Sequence, residues 1–151
     1  MAVRWRPGAG TTFLLRVPLS LAITRGVHFQ VGGVDLALPL AAVRTVTEVV
    51  EELAAAEGVV VEGEAVPYRH LAAWLGTEPA PAAVRPAVVA RVGERLLALG
   101  VDRLCGQEEM VLKPLSPYLA AYPWASAASV GPDGDVRLLL DLAALEREPR
   151  A

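Results

Sequence analysis

Val27-His28-Phe29-Gln30-Val31-Gly32-Gly33-Val34-Asp35-Leu36-Ala37-Leu38 reads as a β-hairpin. Apolar and polar side chains alternate on both sides of Gly32-Gly33, and a two-residue Gly-Gly connection suits the primed turns that close hairpins. In that register Val31 faces Val34, Phe29 faces Leu36 and Val27 faces Leu38. Six apolar side chains then share one face, while His28, Gln30 and Asp35 share the other.

The same device recurs downstream. Val31 to Leu38 aligns with Val92-Gly93-Glu94-Arg95-Leu96-Leu97-Ala98-Leu99 at an offset of 61, with five of eight positions identical. Gly63 with Leu71-Ala72-Ala73 matches Gly134 with Leu142-Ala143-Ala144 at an offset of 71, so the later half carries extra residues in between. The physical reading is a duplication: two small β units, each too small to bury a comfortable core alone, packed on one another. Between the halves, Thr77-Glu78-Pro79-Ala80-Pro81-Ala82-Ala83-Val84-Arg85-Pro86 holds three prolines and reads as a linker or long loop.

Further strands are expected at residues 59–61, 65–68, 87–92, 95–101, 110–113, 125–130 and 136–141. Short helices are expected at 69–75, ended by Gly76, and at 142–148. Val46 to Glu57 mixes signals. Its β-branched start favours a strand through about Val50, and Ala54-Ala55-Ala56 favours a helical turn to Glu57. Near the N-terminus, Phe13, Leu15, Val17, Leu19, Leu21 and Ile23 alternate as one long half-buried strand broken at Pro18. Neither half has its equivalent, so it reads as a strand belonging to another domain.

Composition narrows the function. The 151 residues carry 14 Lys and Arg against 17 Asp and Glu, a net charge of −3, and this lacks the basic surplus that nucleic-acid binding needs. The 54% hydrophobic content argues against disorder, yet the longest uncharged run, Pro114 to Pro132, contains four prolines and makes no spanning helix. No secretory signal is legible at the N-terminus, and the single Cys105 permits no intrachain disulfide. A cytoplasmic protein without membrane insertion is expected.

No catalytic constellation emerges. Gly8-Ala9-Gly10 alone is a weak phosphate-loop signal, and no cofactor or metal is expected from one Cys and two unpaired histidines. His28 and His70 read as surface or cap residues, Glu51-Glu52 and Glu108-Glu109 as solvated pairs, and Cys105 as a small hydrophobe. Glu108 and Lys113 are candidate rim charges.

Gly8-Ala9-Gly10-Thr11-Thr12-Phe13, running into Leu19-Ser20-Leu21-Ala22-Ile23, resembles the end of the ATP-binding domain of the chemotaxis histidine kinase CheA. Leu36-Ala37-Leu38-Pro39-Leu40, Gly106-Gln107-Glu108-Glu109-Met110-Val111-Leu112-Lys113-Pro114-Leu115 and Gly134-Asp135-Val136-Arg137 resemble motifs of the CheW-like regulatory domain that follows it. The boundaries implied are a terminal strand at 1–24 and a regulatory and docking domain at 25–148. The fold implied is all-β, two small five-stranded β-barrel subdomains packed together with short helices.

The role implied is non-catalytic. Such domains dock the kinase to a CheW-type adaptor protein and to the cytoplasmic tips of chemoreceptors. The partner-binding residues carried over are Val46, Glu48, Val49, Gly63, Val66, Pro67 and Tyr68, the alternative being that Val46 and Val66 are core of the first barrel. A free-standing CheW-like adaptor and a remnant of a split histidine kinase are the competing readings, with a small-molecule-binding barrel behind them. Three departures bear on the partner surface: a short loop from Val50 to Val59, Gly100 in place of a usual valine, and Trp124-Ala125-Ser126-Ala127-Ala128-Ser129 in place of G-V-x-G-A-T.

Overall fold

The computed structural model describes residues 2–8, 10–14, 22–116, 118 and 122–147. In chain order the elements are β1 (Ala2–Arg6), β2 (Gly10–Leu14), β3 (Ala22–Val31), β4 (Val34–Pro39), β5 (Val43–Val50), α1 (Glu51–Glu57), β6 (Val59–Val61), β7 (Glu64–Val66) and β8 (Tyr68–His70). These are followed by α2 (Ala72–Leu75), β9 (Val84–Val92), β10 (Arg95–Gly100), β11 (Arg103–Leu112), β12 (Ala125–Val130), β13 (Val136–Leu140) and α3 (Leu142–Arg147). A single 3-10 turn, Leu40–Ala42, links β4 to β5.

The β3–β4 hairpin forms in the expected register, with Val31 opposite Val34, Phe29 opposite Leu36 and Val27 opposite Leu38. Gly32 and Gly33 take φ of +57° and +78°, the positive angles that a primed two-residue turn requires. This hairpin is the centre of a sheet ordered β11-β3-β4-β13-β12. Lys113 and Ala128 then exchange N–H···O bonds of 2.7 and 2.9 Å, which joins β12 back to the end of β11 and closes a five-stranded barrel.

The second sheet runs β5-β9-β10-β8, and β6 pairs with β7. Pro67 separates β7 from β8, and its carbonyl accepts the Ala98 N–H at 2.9 Å. β7 and β8 are therefore one strand bent at a residue with no N–H to donate, and this subdomain also has five strands. Its seam differs, because among the described residues no backbone bridge joins β5 to β6. A side-chain pair, Arg44 with Glu62 at 2.5 Å, crosses from β5 to the β6–β7 turn instead.

The apolar faces of the two hairpins meet in one shared core that includes Phe29, Leu36, Leu38, Val88, Leu99 and Val101, all fully buried. Each such side chain contributes roughly 1.5–3 kcal/mol on burial. Leu71 just before α2, Ala72 of α2 and Leu145 of α3 cap the same core.

The duplication is visible in the registers, but its halves do not each form one subdomain. Ala37 of β4 lies beside Leu139 of β13 in parallel, and its counterpart Ala98 of β10 lies beside Tyr68 of β8. β11 carries a bulge against β3 between Leu104 and Gly106, and β5 carries one against β9 between Val43 and Thr45, again displaced by 61. The strands after each hairpin cross over to flank the other hairpin. β3–β4 is completed by β11, β12 and β13, and β9–β10 by β5, β6, β7 and β8. The exchange buries both hairpin faces between the subdomains, which two sequential units would not require.

Several element limits shift. The split at Val50 holds, with β5 ending and α1 beginning there. Gly76 caps α2 in the left-handed region as expected, but Arg69 and His70 extend a strand rather than a helix, because β8 pairs with β10. The strand expected at 110–113 begins at Arg103; an apolar alternation is missing over Arg103 to Glu109 because the less exposed positions there are Gly106 and the charged Glu108. Phe13 belongs to β2, which pairs with β1, and Ile23 belongs to β3, while 15–21 of the expected long strand lie outside the described residues.

Candidate docking surfaces

The seven residues singled out from the sequence separate into three places. Val49 and Val66 are buried, in the interior of the first subdomain (β5 to β10), and present no surface. Strand parity explains this, since Val49 points inward with Thr47 while Glu48 points outward. Val46 is half-buried against the shared core, and Glu48 is exposed on the same outer face of β5. Pro67 is exposed and Tyr68 half-buried at a groove of about 320 Å³ between α1 and the bent β7–β8 strand, lined also by Ala54, Ala55 and Gly58. Gly63 sits at the exposed tip of the β6–β7 turn.

Sequence reading missed the residues that continue the outer face of β5. Val50 and Val84 are register partners across β5 and β9, 46% and 53% exposed, and exposed Leu53 follows on α1. The face that buries Val88 in the core thus runs outward past Glu48 and Pro86 to an apolar pair at solvent. The closed second subdomain repeats the device. Ile23 and Val111 are partners across β3 and β11, at the positions equivalent to Val84 and Val50, and are 65% and 39% exposed. The offset of 61 was the available signal, had it been extended from the hairpins to the flanking strands.

Behind the first of these faces lies a polar network. The Tyr68 hydroxyl donates to Glu51 Oε2 at 2.6 Å, and that oxygen lies 2.5 Å from Arg85 Nε. Arg85 is 3% exposed; it donates to the Ala80 carbonyl at 2.9 Å and to Asp102 Oδ1 at 3.2 Å, and its Nη1 lies 2.7 Å from His70 Nε2. Asp102 also accepts the Gly32 N–H at 2.7 Å, reaching the β3–β4 turn of the other subdomain. Glu51 is therefore a half-buried ion-pair partner of the buried Arg85 rather than a fully solvated charge. Burial, reinforced by the Glu51 carboxylate, pushes the Tyr68 phenol well above its usual range. Burial and then the Arg85 charge hold the His70 imidazole below its ordinary value.

The second subdomain carries its own interior cluster. His28 Nε2 lies 2.7 Å from Asp35 Oδ1, which also accepts from Gln30 at 2.9 Å, and Arg137 pairs with Glu108 beside the other ring nitrogen of His28. Burial opposes ionisation of Asp35, but the hydrogen bonds from Gln30 and His28, with the charges of His28 and Arg137, outweigh it and lower its carboxyl. The polar face read from the hairpin is real but points into the barrel. His28 and His70 are thus not surface residues, although His70 does cap α2, its Nδ1 accepting the Ala72 N–H at 3.1 Å. Glu108 is likewise inside rather than at a rim. Lys113 supplies the closing bridge, and Cys105, at the β11 bulge, is exposed rather than packed.

The β1–β2 hairpin pairs only with itself among the described residues. Val3 faces Phe13 across it, Trp5 lies two residues along the same face, and all three are more than half exposed. Among the described residues no helix is long and apolar enough to cross a membrane.

Comparison with known proteins gives one consistent answer. The family model for the CheW-like domain matches residues 25–149. Chemotaxis protein CheA of Salmonella typhimurium is 34% identical over 151 residues, covering 95% of this chain and 22% of that protein. Chemotaxis protein CheA of Halobacterium salinarum is 30% identical over 143 residues, covering 92% of this chain and 21% of that protein. The chain thus spans about a fifth of the length of these relatives. The crystal structure of the scaffolding protein TtCheW from Thermoanaerobacter tengcongensis superposes with a TM-score of 0.68 over 83% of this chain and 93% of that one, at 15% identity, a likeness of fold. The chain belongs to the CheW-like domain family.

Proposed function

We propose that this chain is a non-catalytic docking and regulatory domain of a bacterial chemotaxis histidine kinase, coupling the kinase to a CheW-type adaptor and to chemoreceptor tips in the cytoplasm. The observation that carries it is the pair of equivalent exposed apolar positions, Val50 with Val84 and Ile23 with Val111. Two outward apolar pairs on a stable scaffold, flanked by Glu48 on one subdomain and by Arg25 and Glu109 on the other, fit protein recognition with an apolar centre and a polar rim. Pro67 and Tyr68 at the α1 groove add a second contact zone on the first subdomain.

The kinase-linked reading is favoured by the CheA alignments, which extend over the N-terminal segment as well as the domain. A free-standing adaptor is the second reading, supported by the superposition that covers 93% of TtCheW.

The test is capture of a purified CheW-type adaptor and of a receptor-tip fragment by the wild type, Val50→Asp, Ile23→Asp and Pro67→Asp. We expect at least one Asp variant to weaken capture of a given partner by roughly tenfold, about 1.4 kcal/mol, with unchanged circular dichroism. Unchanged capture of both partners by all three variants would overturn the reading. Full-length and excised forms compared in a kinase assay separate the two alternatives.

A further inference from the structure

Residues 22–76 and 84–147 each supply strands to both subdomains, so neither half completes a barrel from its own strands. Residues 77–83 connect them, form no helix or strand, and hold Pro79 and Pro81 on either side of Ala80. We propose that two copies of this chain exchange halves through residues 77–83, and that the contacts of Ala80 with Arg85 and Asp102 hold the chain in its closed, monomeric form.

Exchange costs little in contacts. Every β5–β9, β3–β11 and β4–β13 pairing, and the shared core, joins one half to the other. Two copies trading halves keep all of these contacts, so the two forms differ mainly in the linker and in association entropy. Seven residues fully extended span about 23–25 Å, enough to cross between two copies side by side. Prolines bias such a segment toward extended conformations. Against this, Arg85 donates to the Ala80 carbonyl at 2.9 Å, and the Ala80 N–H donates to Asp102 Oδ1 at 3.1 Å. Asp102 is also bonded to Gly32, so the linker is fastened where both subdomains meet.

The register supplies the test. Val50 and Val84 are cross-strand partners from different halves and are exposed at solvent. In a Cys105→Ser background, Val50→Cys with Val84→Cys gives a disulfide within one chain in the closed form and between two chains in the exchanged form. The protein is denatured, refolded at low and high concentration, oxidised, and run on a non-reducing gel with light scattering on the same samples. Covalent dimer is expected after refolding at high concentration, several-fold more of it with Asp102→Ala, and predominantly dimer when residues 80–82 are deleted. The deletion variant carries the test if Asp102→Ala does not fold. Cross-linked monomer alone in every sample would overturn the proposal, and so would a dimer by light scattering whose disulfide stays within one chain. Neither result depends on adaptor or receptor binding, so failure here leaves the docking reading standing.

Discussion

The hydroxyl of Tyr68 donates to Oε2 of Glu51 at 2.6 Å, tying the bent strand, just past Pro67, to the first residue of α1. A hydrogen bond to a charged group contributes about 1.5–3 kcal/mol. Tyr68→Phe is therefore expected to lower the urea midpoint by a corresponding amount. Absorbance titration is expected to find the wild-type Tyr68 phenol protonated well above pH 10, because burial and then Glu51 both oppose its ionisation. Glu51→Gln should bring that titration down, though not to the value of a free tyrosine.

Arg85 and Arg44 separate a buried pair from an exposed one. Arg85→Met leaves Glu51 and Asp102 without their shared cation inside the protein, and removing one partner of a buried pair typically costs about 3–5 kcal/mol. Arg44→Met breaks a contact at solvent and is expected to leave the denaturation midpoint unmoved. Equal losses for the two variants would contradict the burial described for Arg85.

His70 sets a pH window. Its folded-state value lies below the ordinary 6.5, so the unfolded chain binds the proton more readily. The stability that this shift contributes is fully present above about pH 6.5 and declines as the pH falls below it. His70→Asn, which keeps a side-chain acceptor for the Ala72 N–H, is expected to flatten the urea midpoint between pH 5 and 7. Asp35, lowered in the fold, contributes in a more acidic window, below its ordinary 3.8, and leaves the first window undisturbed.

Val49 and Pro67 were grouped by resemblance and are parted by the structure. Val49→Asp places a carboxylate among Ala54 and Ala87 and is expected to unfold the domain or to cost several kcal/mol. Pro67→Asp, at an exposed bend, should leave the circular dichroism and thermal midpoint close to wild type. Loss of folding in Pro67→Asp would assign that residue to the core.

The N-terminal hairpin offers a fourth contrast. Isolated two-stranded hairpins are marginally stable in water, and Val3, Trp5 and Phe13 expose one apolar face. Deleting residues 1–21 is expected to reduce self-association by light scattering while the thermal midpoint of the CheW-like domain is retained. Unfolding on deletion would place the segment within that domain's core.

Much of this architecture was legible because alternation and turn chemistry are local. Val27 to Leu38 specified its own register, and Gly76 announced the end of α2. The repeat was legible too, but its reciprocal wiring was not, because identity between halves says nothing about which hairpin a following strand will flank. Alternation also marks two faces without saying which is wet, and His28, Asp35 and Glu108 were therefore placed outside a barrel that they fill. Among the site residues, Val46, Val49 and Val66 share a composition with true surface valines such as Val50. Strand parity parts Val49 from Val50, but Val46 shares the face of Val50 and is covered by the shared core, and Val66 lies inside on β7.

The sealed and unsealed seams have a dynamic consequence. Where Lys113 and Ala128 stitch the second subdomain shut, backbone amides are shielded by neighbours on both sides. Among the described residues the β5 margin of the first subdomain has no backbone bridge to β6, and the Arg44–Glu62 pair and the packing around Val49 and Val59 span it instead. Breathing motions should begin there, with amide protons of β5 and β6 trading for deuterium ahead of those in β3 and β4. A partner that settles on this margin would then be read as a slowing of exchange in one half of an otherwise near-symmetric molecule.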